Sequence, residues 1–267
     1  MSRAAYHKWV SGKKSPRLVE NETIAERVEQ IHTESPDKGY RRIKDDLDHD
    51  YGIHVNDKRV LRICRTLDIK STIKYRNLGC TRHAENPQYI AENVLDRQFY
   101  ALRPNEKWLT DVSEFKWYEG NESHRIFLSA ILDLYDRRIV SFVIGDRNDT
   151  PLVFKTFDKA VMENPDAHPL FHSDRGFQYT SRAFHRKIEA AGMMQSMSRV
   201  GKCIDNGPME GFWGILKRER YYGKRFTSKQ ELIQMIQSYI RYYNNRRVQR
   251  NLGVLTPMEK HNLFLAA

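Results

Sequence analysis

The sequence Trp108-Leu-Thr-Asp-Val-Ser-Glu-Phe-Lys-Trp117 has the side-chain alternation of a β-strand. Because successive side chains of a strand point to opposite faces, Leu109, Asp111 and Phe115 share one face of this stretch. Asp111 therefore places a carboxylate among apolar neighbours, where an ionised group needs a partner. This residue is the first candidate for a functional site.

Two further strands are predicted after this one, with turn signals at Glu119-Gly-Asn and Tyr135-Asp-Arg-Arg, and they make a three-stranded meander of residues 108–117, 126–133 and 138–144. The pattern then alternates between helix and strand. It predicts a helix at 151–164, a buried strand at 170–173, a helix at 181–191 and a last strand at 193–198. This order is typical of an α/β domain built on a mixed sheet.

Two more acids stand at places where folds expose functional groups. Asp174, in Phe171-His-Ser-Asp-Arg-Gly, follows the predicted buried strand, and strand ends in open α/β sheets present side chains to a crevice. Glu210, in Asn206-Gly-Pro-Met-Glu-Gly-Phe-Trp, lies in the first turn of a predicted helix, with Gly207 as N-cap and Pro208 at the first helical position. Taken alone, each acid is as well explained by an ordinary surface or paired side chain.

Three carboxylates that converge repel one another, because like charge and burial both raise carboxyl pKa values. Divalent cations remove this repulsion, and Mg²⁺ prefers hard oxygen ligands such as carboxylate and phosphate. Two such ions about 3.5–4 Å apart stabilise the attacking and leaving oxygens of a phosphoryl displacement. Asp111, Asp174 and Glu210 are therefore candidate ligands for Mg²⁺, and we expect Mn²⁺ to substitute for it.

The composition bounds the other possibilities. No run approaches about 18 consecutive apolar residues and the N-terminus lacks a signal-peptide pattern, so we expect a cytoplasmic protein without a membrane partner. The three cysteines are too scattered for a disulfide framework, and the ten histidines show no zinc-binding spacing. The net charge of +11 is uneven, since residues 175–267 carry 17 basic and 6 acidic side chains but residues 101–174 carry 9 and 13. This pattern predicts a metal-binding centre with nucleic-acid-binding flanks, although a solvated basic surface is the simpler alternative.

The first hundred residues divide into three predicted segments: a basic arm at 1–20, a helical domain at 21–70 and a polar linker at 71–100. Within the helical domain, a capping box at Thr23-Ile-Ala-Glu26 begins the first of three short helices. The second and third helices resemble a helix-turn-helix, and one face of the third carries Lys58, Arg62 and Arg65. That face predicts contacts with DNA, but a three-helix scaffold with a solvated basic face explains it almost as well.

Further candidate DNA contacts follow residue 198. The loop at 198–207 contains Lys202, and its mobility would let Glu210 join the site only on DNA, although an ordinary surface loop is the simpler interpretation. Lys217 lies two helical turns after Glu210 on the same face of the predicted helix. It is a candidate to hold DNA phosphate, and an ordinary exposed lysine is the alternative. Residues 225–267 predict a helical tail with an apolar stripe, and its Arg246, Arg247 and Arg250 serve in phosphate contact or in packing.

These motifs resemble the Asp-Asp-Glu transposases of bacterial insertion sequences, which are related to retroviral integrases. The resemblance covers residues 39–257 and rests on Trp108-Leu-Thr-Asp, His172-Ser-Asp-Arg-Gly, Asp205-Asn-Gly-Pro-Met-Glu and Leu216-Lys-Arg-Glu, with 35 residues between Asp174 and Glu210. Within this group the chain is most similar to the second-reading-frame product of the large family whose transposase is split over two overlapping frames. Ile204, Gly207 and Gly211 depart from the family pattern but remove no metal ligand.

The resemblance implies a ribonuclease-H-like catalytic core at residues 101–224, preceded by the helix-turn-helix-like domain and followed by the basic tail. It implies metal-dependent DNA strand cleavage and strand transfer, with Asp111, Asp174 and Glu210 as catalytic residues and metal ligands. The expected partners are double-stranded insertion-sequence ends and target DNA, further copies of the chain on that DNA, and an upstream-frame product. Two alternatives stay open: a non-catalytic DNA-binding or architectural protein, and a ribonuclease-H-like nuclease of RNA–DNA hybrids.

Overall fold

The computed structural model describes Arg3 and residues 14–73 and 87–267. The chain forms two compact units, divided after Ile73. Across the part of the chain that the structure describes, no helix is both long enough and apolar enough to cross a membrane.

Three helices build the N-terminal unit: α1 (Pro16–Glu34), α2 (Tyr40–Tyr51) and α3 (Asp57–Thr66). Ser15 and Asn56 cap α1 and α3, because their side chains accept hydrogen bonds from backbone N–H groups in the first turns. Gly52 ends α2 at a φ of 63°, a left-handed conformation that a glycine adopts without a steric cost. A small apolar core holds the unit together, formed by Ile24, Val28, Ile31, Ile43, Leu47, Val60 and Ile63.

The first helix begins earlier than its sequence pattern predicts. Since Ser15 supplies a cap and Pro16 suits the first helical position, α1 starts there and not at the capping box near Thr23. The predicted arm at residues 1–20 therefore includes the first turn of α1, and its residues 1, 2 and 4–13 lie outside the described residues. Helices α2 and α3 occupy the two positions predicted for the helix-turn-helix.

A five-stranded mixed sheet forms the centre of the second unit, with strand order β3-β2-β1-β4-β5. Its strands are β1 (Lys107–Glu119), β2 (Glu122–Asp133), β3 (Ile139–Gly145), β4 (Leu170–Ser173) and β5 (Met194–Met197). The first three form the antiparallel meander that the sequence predicts, whereas β4 pairs parallel with β1 and β5 pairs parallel with β4. Parallel pairing needs crossover connections, and α4 (Thr150–Glu163) and α5 (Arg182–Ala190) lie in them.

Alternation along β1 sends its apolar side chains into two separate cores. Trp108 belongs to a core with Phe157 of α4 and Phe184 of α5. Leu109 and Phe115, on the other face, share a core with α6 (Gly207–Leu216) and α7 (Lys229–Asn245). Helices thus cover both faces of the sheet, as expected for a ribonuclease-H-like fold. The chain continues through a short 3-10 turn at Arg250–Leu252 to α8 (Pro257–Leu265).

Two predicted segments belong to this unit and do not stand apart from it. Residues 87–100, assigned above to a linker, bury Ala91 in one core and Leu95 in the other. The predicted tail supplies Phe226 and the apolar stripe of α7 to the core that contains Leu109. Composition does not predict this packing, because a few buried apolar side chains are enough to fix a mostly polar segment to the core. The remaining linker residues, 74–86, lie outside the described residues.

Candidate active site

Two of the predicted site acids belong to neighbouring parallel strands: Asp111 lies within β1, and Asp174 directly follows β4. In the pairing of β1 with β4, Leu109 is the partner of His172. Asp111 and Asp174 each come two positions after their paired residue, so the register brings them to adjacent places on the same face of the sheet. In agreement with this placement, the Asp174 carboxylate acts on the pKa of Asp111 and raises it.

Gly176 orients Asp174 from the loop that follows β4. Its backbone N–H donates to Asp174 Oδ1 at 2.8 Å. A Cβ at this position would lie 3.0 Å from the same oxygen and 2.9 Å from Gln178 Oε1, closer than Cβ atoms normally approach. The glycine of the His-Ser-Asp-Arg-Gly motif therefore allows the backbone to come close to the carboxylate.

His172 joins β4 to the segment at β5 and carries no charge near neutral pH. Its Nδ1 lies 2.9 Å from Ser196 Oγ, and its Nε2 lies 3.1 Å from Ser198 Oγ. Burial lowers the pKa of His172 to about 4. The histidine of the motif is thus a structural link beside Asp174, and the positive charge needed by the acids must come from elsewhere.

Helix α6 is attached to β1 at two points that flank Glu210. Before it, the Asn206 side-chain Nδ2 donates to the Thr110 carbonyl at 3.0 Å. After it, the Trp213 indole Nε1–H donates to Asp111 Oδ2 at 2.9 Å. Positions 206, 210 and 213 share one helix face, because they are four and three residues apart. Glu210 therefore lies on the face of α6 that is bound to β1, with its own side chain exposed.

The start of α6 differs by one residue from the prediction. Asn206, and not Gly207, occupies the N-cap position, while Pro208 lies in the first turn as expected. The Asn206 side chain makes no capping hydrogen bond, and its Nδ2 binds Thr110 instead. This side chain thus fixes the helix to the strand and leaves the helix N-terminus without a side-chain cap.

The carboxylates of Asp111, Asp174 and Glu210 repel one another. Burial, and after it the Asp174 carboxylate, raises the pKa of Asp111 to about 8, with a further contribution from Glu210. Burial lowers the pKa of Lys217, whereas Asp111 acts in the opposite direction, so the ammonium group lies within electrostatic reach of the site. Among residues 14–73 and 87–267, no three His, Cys, Asp or Glu side chains form a group ready to hold a metal ion. The three acids therefore interact electrostatically, but their carboxylates are not arranged as a finished metal-binding group.

Asp205 belongs to one of the sequence motifs, but the motif does not indicate the role that this residue has in the structure. Its buried carboxylate accepts hydrogen bonds from Arg199 Nε and Nη2, both at 2.9 Å, and from Arg97 Nε at 2.7 Å. The Arg199 hydrogen bonds outweigh burial and hold the pKa of Asp205 well below its usual range. Asp205 lies in the 3-10 turn Cys203–Asn206 directly before α6, so the loop predicted to be mobile is held by ion pairs. Arg97 is 108 residues away along the chain, and no local pattern indicates that contact.

The predicted DNA contacts lie in three kinds of surroundings. Lys217 is half-buried, with Nζ 4.9 Å from the centre of the Phe115 ring. The Arg247 side chain is only 11% exposed and is paired at 2.8 Å with Glu219, which is itself buried. A phosphate contact by Arg247 does not fit this burial, because the Glu219 carboxylate already neutralises its charge. The other predicted contacts are exposed: Lys58, Arg62, Arg65, Lys202, Arg246 and Arg250.

Comparison with known proteins agrees with this fold. Two models of the integrase core domain match residues 101–203 and 210–263, and a model of an HTH-like domain matches residues 20–77. A chain of the simian T-cell lymphotropic virus intasome, solved by cryo-electron microscopy in complex with PP2A regulatory subunit B56 gamma, shares the fold. It has a TM-score of 0.50 and 16% sequence identity, covering 82% of this chain and 74% of that one.

Sequence relatives narrow the assignment. The chain is 39% identical over 241 residues to the putative transposase InsK for insertion sequence element IS150 of Escherichia coli, a match covering 90% of this chain and 83% of that protein. It is 31% identical over 256 residues to the transposase for insertion sequence element IS904 of Lactococcus lactis, covering 93% and 98%. The chain therefore belongs to the insertion-sequence transposases that carry an integrase core domain.

Proposed function

We propose that this transposase uses Asp111, Asp174 and Glu210 to hold Mg²⁺, or Mn²⁺ in its place, and that it cuts and joins DNA strands at this site. One observation carries the proposal: Asp111 in β1 and Asp174 just after β4 occupy neighbouring parallel strands, and the helix that bears Glu210 is bound to Asp111 through Trp213. Mutual repulsion among these acids costs stability. A perturbed carboxyl pKa at such a place is typical of a functional site.

The donor set suits a hard divalent cation. Mg²⁺ takes oxygen ligands, commonly one or two carboxylates together with substrate phosphate and water. When bound, the metal supplies charge stabilisation for the attacking and leaving oxygens of a phosphoryl transfer. In this proposal Glu210, which is exposed on the same face of α6 as Trp213, completes the site when DNA binds.

Side chains of the protein set the direction of the carboxylates in this proposal. Trp213 fixes the orientation of Asp111, and the Gly176 N–H fixes that of Asp174. Asn206 and Trp213 hold α6 against β1, so the helix keeps Glu210 on the side of the sheet that carries Asp111. Lys217, two turns further along, offers its ammonium group to the scissile or a flanking phosphate.

DNA binding needs a larger surface than the site itself. Exposed side chains of α3, namely Lys58, Arg62 and Arg65, contact phosphates or bases of the element ends, and Lys202, Arg246 and Arg250 contact phosphate. Strand transfer brings two DNA segments to one site, so at least two copies of the chain act together on DNA. An upstream-frame product is a further proposed partner. We place this activity in the cytoplasm, at the nucleoid.

Replacing Asp174 with Ala tests the proposal most directly. We expect Mg²⁺-dependent joining of a duplex with the terminal sequence of the chain's own insertion element to fall on the order of 10³-fold, because charge stabilisation in the transition state is lost. Binding of the same duplex should change little. Asp166→Ala is the matched control, since Asp166 is an exposed acid of the same unit. Retained joining by Asp174→Ala would show that the reaction uses other residues.

A further inference from the structure

The chain leaves the α-helical path directly after α6. Residues Lys217–Tyr221 form a π turn, and the Tyr222 N–H donates to the Lys217 carbonyl at 2.7 Å to close it. Such turns are rare, occur mostly as single turns within helices, and are frequent at functional sites. Contacts on two sides hold this one in place.

Glu219 anchors the turn on the side of α7. Its carboxylate, only 3% exposed, accepts a hydrogen bond from Arg247 Nη2 at 2.8 Å. Arg247 Nε donates to the same Oε1 at 3.2 Å, and the Tyr239 hydroxyl donates to Oε2 at 2.9 Å. A carboxylate and a guanidinium at this burial are tolerated only as a pair, so movement of Glu219 would leave two unpaired charges in the core.

Tyr221 anchors the turn on the side of β1. The Lys116 backbone N–H donates to the Tyr221 hydroxyl at 2.8 Å, and the Tyr221 ring meets the Phe115 ring edge-on with centroids 5.1 Å apart. Lys217 lies over the same Phe115 ring, with Nζ 4.9 Å from its centroid. Lys217 and Tyr221 therefore both face β1.

Glu219 lies two residues from each of them, and two residues turn a helical chain by roughly half a revolution. Its side chain consequently points away from β1 and toward α7, where Arg247 and Tyr239 bind it. The turn is held between these opposed anchors, and the rotation that satisfies Glu219 is the one that presents Lys217 to β1.

We infer that Glu219 is a positioning residue for Lys217: bound by Arg247 and Tyr239, it fixes the π turn so that the lysine faces the active site. The inference rests on the function proposed above, in which Lys217 holds phosphate. Arg247 then contributes to the reaction through Glu219 and not through contact with DNA. A purely structural brace would lower the melting temperature without changing the joining rate below it.

A double-mutant cycle separates these two roles. Joining of the element-end duplex is measured with Mg²⁺ at saturating DNA, below all melting temperatures, for wild type, Lys217→Ala, Glu219→Gln and the double variant. We expect each single change to lower the rate by about tenfold or more, and the double variant to join no more slowly than Lys217→Ala, because residues that act as a unit are not additive.

Two further variants cover the case in which Glu219→Gln fails to fold. Tyr239→Phe keeps the ion pair and removes one hydrogen bond, and we expect a loss in rate of about threefold that disappears in the Lys217→Ala background. Leu232→Ala is the stability control, because Leu232 is buried elsewhere on α7. It should lower the melting temperature and leave the joining rate unchanged.

Multiplicative losses in either double variant would overturn the inference, since Glu219 would then act independently of Lys217. A wild-type rate for Lys217→Ala, with Asp174→Ala inactive, would also overturn it while the proposed active site stands. Joining by Asp174→Ala would overturn the proposed function and this inference with it.

Discussion

Asp111 and Asp205 are acids of the same structural unit in opposite electrostatic surroundings. Asp205 is buried and accepts hydrogen bonds from Arg199 and Arg97, which hold its pKa well below the usual range. Asp111 is half-buried, and burial together with the carboxylates of Asp174 and Glu210 raises its pKa to about 8. One carboxylate is neutralised by arginines of the chain, and the other is surrounded by like charge.

This is the difference expected between an acid that stabilises the fold and an acid that binds a ligand, as we propose for Asp111. A buried carboxylate paired with arginine is compensated within the chain, and removing either partner destabilises it. The charge of Glu219 is compensated in the same way, by Arg247. A carboxylate held among other carboxylates lowers stability, so its retention favours a role in binding cations.

The largest effect on joining is expected when the charge of Asp111, and with it the repulsion from Asp174 and Glu210, is removed. Asp111→Asn should lower joining on the order of 10³-fold and yet raise the melting temperature of the metal-free protein, because Asn still accepts from Trp213 without adding charge. The folded-state pKa near 8 exceeds the ordinary value of 3.8, so ionisation of Asp111 costs stability progressively between those values. Thermal unfolding in EDTA should therefore show a larger gain at pH 8 than at pH 4. A lower melting temperature at pH 8 would contradict this account.

A smaller effect of opposite sign is expected at the paired acid. Asp205→Asn should lower the free energy of unfolding at pH 7 by roughly 1–3 kcal/mol, because two charge-assisted contacts are lost. The folded-state pKa of Asp205 is depressed, so this contribution is fully present above the ordinary value of 3.8 and is lost progressively as pH falls from there through the folded-state pKa.

Urea unfolding at pH 7 and at pH 3 measures this difference, and the gap between the two proteins should narrow at the lower pH. Asp96→Asn is the control, since Asp96 also faces Arg199, at 3.8 Å, but is 67% exposed. Equal losses for the two variants would mean that burial of Asp205 is irrelevant to its role.

The smallest effect concerns two adjacent arginines. Arg246→Ala should reduce the slope of log K against log salt for duplex DNA by about one and leave the melting temperature unchanged, because Arg246 is exposed. Arg247→Ala should leave the slope unchanged and lower the melting temperature, because Glu219 would stay buried without its partner. Filter binding between 50 and 200 mM salt, about a fourfold range, resolves this change. If the slope of log K against log salt changed for Arg247→Ala and not for Arg246→Ala, Arg247 and not Arg246 would be the residue that contacts DNA, contrary to this prediction.

Much of the fold is predictable because it depends on local patterns. The two-residue period of β1 identifies the strand that contains Asp111, and the apolar run of β4 identifies the strand that precedes Asp174. The proline at the start of α6 predicts that helix to within one residue. The apolar stripe of α7 is buried as its spacing indicates.

The failures have one physical cause, which is that the interactions join residues far apart in the chain. Arg247 looks like a surface arginine in sequence, but Glu219 and Tyr239 bring it into the core. Residues 87–100 look like a linker, but Ala91 and Leu95 insert into cores built mainly from later residues. No local pattern carries such information, because burial is set by what packs against a segment and not by its own composition.

The sequence by itself determined the family, the order of strands and helices, and the identity of the candidate acids, because motif spacing and side-chain periodicity are properties of the chain. Only the tertiary structure decided which charges are compensated. Asp205 and Asp111 are the same amino acid, and their opposite pKa shifts arise from arginines in one case and carboxylates in the other, supplied by distant parts of the chain. Coulomb interactions and desolvation act through space, so their outcome depends on the folded arrangement of the chain.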